Sequence, residues 1–333
     1  MMRVDIPHGV VLLAAAWWVW MPKGMCQDLD CTTLPQEVTF HFGIETPVPD
    51  PNHPVTVDLF HADLEVSLTP AGWDLLVSYD EPGSGPGGLD VPAEDALLYG
   101  SANARVTLPS IPAGFEFIGA EAGETFWVLP QNAGSGALPL GIAAERADAG
   151  RLCPWNPGDP LGADVADRWF RMELLDVRGP AGGEFSIWQA DGIHPPVVYM
   201  STADGGITED DVYHISSGSH VHMNWGFTQS GHYAVTFRVS TVYRCESGLV
   251  ADLAPFEDGV YAGDCYVDFR DLAVIASHWL ATGCGGEPDI CLGADLTDPG
   301  DGRVNWADLA VLAEQWLACG YPGCREEESI AED

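Results

Sequence analysis

Apolar and polar side chains alternate through most of residues 32–245. Val55-Thr56-Val57-Asp58-Leu59-Phe60, Leu64-Glu65-Val66-Ser67-Leu68 and Tyr233-Ala234-Val235-Thr236-Phe237-Arg238-Val239 carry apolar residues at every second position. Successive strand side chains point to opposite faces, so this period predicts strands with one face in a core. Similar runs at 72–79, 104–108, 125–129, 169–174, 185–188 and 197–200 extend the series. The chain holds 38 glycines and 25 prolines, enough to punctuate many short strands. The expected fold of 32–245 is mainly β, a β-sandwich or jelly roll. Trp73, Trp127, Trp169, Trp188 and Trp225 sit in apolar strand contexts and read as core residues. The Gly-rich stretch 83–88 reads as a flexible surface loop.

After Cys245 the period changes. Residues 246–262 have a linker-like texture. Residues 268–281 then recur 37 positions later at 305–318, with Asp-Leu-Ala-Val, Trp-Leu-Ala in common. Leu272, Ile275, Ala276, Trp279 and Leu280 fall on one helical face, as do Leu309, Leu312, Ala313, Trp316 and Leu317. Two short amphipathic helices are expected to pack on one another in a small all-α module over 263–324. Residues 325–333 form an acidic tail that reads as disordered.

Oxygen-bearing residues precede each helix. Calcium takes six to eight hard oxygens on a sharply turned loop. Asp295, Thr297, Asp301, Arg303, Asn305 and Asp308 form such a set, with Asp301-Gly302 at the turn and about two residues inserted near Asp298-Pro299. The other reading is a helix N-cap by Asn305 within an acidic turn. The first loop, with Asp264, Asp268 and Asp271, is weaker. Its expected opening positions fall on Val260 and Ala262, and Cys265 stands where Gly302 stands in the second copy. A disulfide from Cys265 could replace metal as the brace there.

His220-Val221-His222 on a strand would turn both imidazoles to one face, and His61-Ala62-Asp63 offers a second same-face pair. His61, Asp63, His220 and His222 would make a four-ligand zinc or other transition-metal site if their strands are neighbours. Alternatively these histidines cap strands or bond loops. The spacing alone leaves both readings open.

Charge and cysteine content narrow the setting. The formal charge of the 333-residue chain is −37, which disfavours nucleic-acid and anionic-lipid partners. Residues 1–26 read as a signal peptide: Arg3 precedes an apolar run over 10–21, too short to span a bilayer comfortably. No second apolar run follows, so no membrane span is expected once the leader is removed. Cysteines stand at 26, 31, 153, 245, 265, 284, 291, 319 and 324. Eight remain without the leader, as expected of a disulfide-stapled exported protein of undetermined pairing. No Gly-x-Ser-x-Gly elbow or His-Glu-x-x-His string points to an enzyme.

Several strings resemble known families. His61-Ala62-Asp63-Leu64, Gly72-Trp73-Asp74-Leu75, Trp127-Val128-Leu129-Pro130-Gln131, Gly183-Glu184-Phe185-Ser186 and His220–Phe237 follow the order of the choice-of-anchor M domain of bacterial surface proteins, over about 38–243. Asp264-Cys265-Tyr266-Val267-Asp268 and Asp308-Leu309-Ala310-Val311-Leu312 resemble the type I dockerin tails of planctomycete secreted proteins, over about 258–324. The resemblances imply an extracellular or cell-surface binding or structural protein, attached through a calcium-binding module to a cohesin-like partner. Dockerin tails also ride on polysaccharide-degrading enzymes, so a role in extracellular polysaccharide breakdown or binding is the alternative.

Overall fold

The structure is a computed structural model. It describes residues 31–320 except 47, 59, 81–87, 159–160, 162, 164, 246–248, 254–255, 258–259, 262–264, 286–289, 298–299 and 319. The leader, nearly all of the 83–88 loop, Asp264, Cys319, Cys324 and the acidic tail therefore lie outside the described residues.

The described part of the larger unit is mainly β. Its strands are β1 Cys31–Ile44, β2 Val55–Val57, β3 Ala62–Thr69, β4 Gly72–Tyr79, β5 Leu89–Pro92, β6 Ala96–Gly100, β7 Arg105–Thr107, β8 Thr125–Leu129, β9 Leu140–Ala143, β10 Trp169–Arg178, β11 Phe185–Gln189, β12 Val197–Ser201, β13 Val212–Ser216, β14 His220–Phe227 and β15 Gly231–Arg244. One mixed sheet has the order β13-β10-β15-β1-β6-β2. The other has the order β12-β11-β14-β9-β3-β4-β5, with β8 also on β14 and β7 on β8.

The spine of the first sheet is the antiparallel pair β1–β15, in register from Cys31↔Arg244 to Ile44↔Gly231. Its alternation sends Phe40, Phe42 and Ile44, with Tyr233, Val235 and Phe237, into the core. There Phe42 meets Phe185, Trp225 and Phe227 of the second sheet, at ring separations of 6.5, 5.9 and 5.1 Å. One continuous apolar cluster thus joins the two sheets in a sandwich-like arrangement. Each such aromatic pair adds about 0.5–1.5 kcal/mol beyond area burial. Trp127, Trp188 and Trp225 are buried, whereas Trp73 and Trp169 are half-buried at the margins.

Beyond β15, a small cluster of buried side chains organises α1 Phe269–Ser277 and α2 Trp306–Glu314. Each helix opens on a capping box, Asp268 with Asp271 and Asn305 with Asp308. The helices are shorter than the periodicity predicts. Leu280 and Leu317 adopt left-handed backbone, at φ 64° and 59°, and are exposed, as are Ala276 and Ala313. The physical reason lies in a reciprocal backbone exchange. Leu280 N–H donates to Val304 O and Val304 N–H to Ala281 O, while Leu317 N–H donates to Val267 O and Val267 N–H to Ala318 O. Each loop valine is thereby buried against the segment that follows the other helix. Part of the expected linker also joins this unit, because Ala251 and Leu253 are buried in its apolar cluster.

Among the described residues, three disulfides join Cys31 to Cys153, Cys245 to Cys265 and Cys284 to Cys291, as befits an oxidising compartment. The second ties the end of β15 to the tail. No helix among the described residues is long and apolar enough to cross a membrane.

Candidate metal centre

The outer face of the second sheet gathers His61, Asp63 and His222. β9 lies between β3 and β14, and the register sets Asp63 beside Gly141 and Gly141 beside His222. Leu64 and Val66 face inward on β3, as do Met223 and Trp225 on β14, so Asp63 and His222 must face outward. Gly141 carries no side chain, and the two flanking side chains close over it. A Cβ there would lie 2.1 Å from Asp63 Oδ1 and 3.1 Å from His222 Cδ2.

His61 Nε2 lies 2.8 Å from His222 Nε2 and 3.3 Å from Asp63 Oδ2, and His222 Nε2 lies 3.6 Å from Asp63 Oδ1. Tetrahedral zinc bonds of about 2.0–2.1 Å put donor atoms about 3.3 Å apart, a value these separations bracket. Among the described residues, this is the group of three such side chains whose ligand atoms all lie within 4.8 Å of one another. Asp63 is only 8% exposed, and its Oδ1 is buried without a hydrogen-bond partner. Burial raises the Asp63 pKa, opposed by the nearby imidazoles; burial lowers that of His222, opposed by Asp63. Two nitrogens and one carboxylate oxygen suit zinc or a neighbouring transition ion better than calcium.

Surrounding groups orient this set. His61 Nδ1 lies 3.6 Å from Asp80 Oδ2, the carboxylate–histidine arrangement common behind metal ligands. His220, in the next register row, points to the same face, but its Nδ1 pairs with Glu145 Oε1 at 2.9 Å. The structure thus brings together three of the four sequence-predicted ligands and sets His220 alongside. Glu65 is buried on the same face of β3. It accepts a hydrogen bond from the Ser67 hydroxyl and another from Arg146 N–H, and burial raises its pKa. Gly141 was not legible as part of the centre; a glycine inside an apolar strand is its one local signal.

In the tail, the predicted calcium residues bond mainly to the loop itself. Asp295 accepts N–H bonds from Asp301 and Gly302 and a hydroxyl bond from Thr297. Asp301 accepts from Arg303 N–H and from the Asn305 side-chain amide. Asp308 is fully buried and accepts from Leu296, Thr297 and Asn305 N–H. In the first copy Asp271 accepts from Leu253 and Asp268 N–H, and Asp268 from Arg270. Asp252 accepts from Cys265 N–H as Asp295 accepts from Gly302. Cys265 and Gly302 are both left-handed, at φ 63° and 77°. Ala251-Asp252-Leu253 is therefore the structural counterpart of Ala294-Asp295-Leu296. The sequence reading missed it because the spans to the turn differ, 13 residues against 7. The repeated Ala-Asp-Leu string was the available signal.

Compared with protein-family models, curated proteins and solved structures, the chain matches none. Its class rests on its own geometry: a mainly β, sandwich-like protein with a His–Asp–His cluster on one outer face.

Proposed function

We propose that this chain is an extracellular binding protein that holds a divalent transition cation, zinc by preference, through His61, Asp63 and His222. The observation that carries this reading is Asp63, a buried carboxylate with an unpartnered oxygen facing two imidazoles. A buried charge of this kind needs a compensating partner, and a cation provides one. His61 is partly exposed, so the cation has a route in from solvent. With three protein ligands, a fourth position stays open for water or a ligand atom of a partner.

The test is equilibrium dialysis with zinc in saturating calcium, read by elemental mass spectrometry. Binding to the wild type, weakened at least tenfold in Asp63→Asn and in His61→Ala, is expected. Equal zinc retention by wild type and both variants would overturn the reading.

The tail supports a second, separate role as a calcium-braced attachment module for a cohesin-like or other surface partner. The favouring observation is the duplicated Asp252 and Asp295 arrangement behind two capping boxes. Calcium would bind free lone pairs of the same carboxylates while their backbone N–H bonds persist, and so tighten the loops. Added calcium should therefore slow amide exchange in the loops. Unchanged exchange at millimolar calcium would remove this role.

A further inference from the structure

Six of the ten histidines gather in two clusters, one on the outer face of each sheet. The cluster on the first sheet was not anticipated from sequence spacing. His41 lies on β1 and His232 near the start of β15. Asp50 and His53 lie in the connection between β1 and β2, joined by an isolated antiparallel bridge. Phe40, Phe42 and Tyr233 face the core, so His41 and His232 face outward. Gly43 pairs with His232 in register, leaving no side chain beside the histidine on β1.

Asp50 is 7% exposed. Its Oδ1 accepts the Asn52 N–H at 2.9 Å, which orients the carboxylate. Its Oδ2 lies 3.1 Å from His53 Nδ1 and 3.7 Å from His232 Nδ1. Both distances to the carboxylate lie near the spacing of about 3.3 Å set by zinc-length bonds, but the three donors do not gather within 4.8 Å of one another as those of the first cluster do. The His41 ring is 4.1 Å from that of His53, so a third imidazole flanks the set. The three donors are spread more widely than those of the first cluster. With 48% of its side chain exposed, His232 would have to turn inward to complete the set around a cation.

We propose that Asp50, His53 and His232, flanked by His41, form a second and weaker site for a divalent transition cation. Donor chemistry repeats that of the first cluster, two imidazoles and one oriented, buried carboxylate. The strongly negative chain raises the local concentration of any such cation. This site stands independently of the one at His61, Asp63 and His222.

The experiment titrates the full chain with zinc in saturating calcium, by dialysis and elemental mass spectrometry. A chain carrying His61→Ala and His222→Ala should still bind one zinc. That zinc should be lost when Asp50→Asn or His232→Ala is added, with thermal unfolding confirming that each variant folds. Asp50→Asn keeps a side-chain oxygen for the Asn52 N–H, which guards the fold. Absence of zinc from the double variant, or its retention after Asp50→Asn and His232→Ala, would overturn the proposal. Wild-type binding that is lost on Asp50→Asn but unaffected by His61→Ala would instead refute the first site and leave this one standing.

Discussion

Asp63 of the sandwich and Asp271 and Asp308 of the tail are buried in opposite ways. In the tail, Asp271 and Asp308 are 1% and 0% exposed, and each accepts backbone N–H groups at a helix start. Each takes one N–H from its own capping box, three residues away, and the rest from the loop that packs against the helix start, 11 to 18 residues away. In the sandwich, Asp63 lies on β3 between β4 and β9, whose ladders engage the neighbouring backbone N–H groups. Its charge faces the imidazoles of His61, two residues away in the chain, and of His222, distant in the sequence. The same residue type therefore acts as backbone brace at Asp271 and Asp308 and as candidate ligand at Asp63.

Four substitutions test this contrast. Trp225→Ala should have the largest effect, about 3–5 kcal/mol, because it opens a cavity in the cluster joining the sheets. Urea unfolding of the sandwich would show it, and a loss under 1 kcal/mol would mean the sheets are not held as described. Asp308→Ala should cost the tail about 2–3 kcal/mol by orphaning three N–H groups. Hydrogen exchange should quicken around α2 and stay unchanged in β1 and β15. Uniform quickening would deny that the tail's acids act locally.

Gly141→Ala should weaken zinc binding about tenfold or more, since the new methyl takes space now held by the Asp63 carboxylate. Dialysis would read this, and unchanged affinity would detach the glycine from the site. Glu65→Gln should have the smallest effect, and its sign depends on pH. Burial raises the folded-state pKa of Glu65, so the folded protein holds its proton more tightly than the unfolded chain. That contribution is present below the unfolded pKa and is lost as pH rises through the folded one. Glu65→Gln should thus raise the melting temperature at pH 7 by a few degrees and leave it nearly unchanged near pH 4. Equal shifts at both pH values would mean that ionisation is not the cause.

Much of the architecture was written locally. The alternation in 233–239 and 64–68 matched β15 and β3, whose inward residues are buried. The two capping boxes followed from a duplicated motif. His61 with Asp63, and His220 with His222, were legible as same-face pairs because strand geometry alone dictates it. The helix ends were misjudged because the left-handed turns at Leu280 and Leu317 serve hydrogen bonds to the other repeat, which no local period encodes.

Local pattern therefore specified many of the strands, though not β1, β5, β6, β9 or β13, together with the outward or inward sense of side chains on those it marked, the duplicated helix starts and the presence of disulfide-forming cysteines. Each depends on a period or a spacing within a few residues. Tertiary structure alone decided that β9 runs between β3 and β14, that Gly141 leaves room for Asp63 and His222 to converge, and that Cys245 pairs with Cys265. It also decided that Asp50 meets His53 and His232. These juxtapositions join residues distant along the chain, and they arise because a single core must be buried between two sheets, a condition that no short stretch of sequence carries.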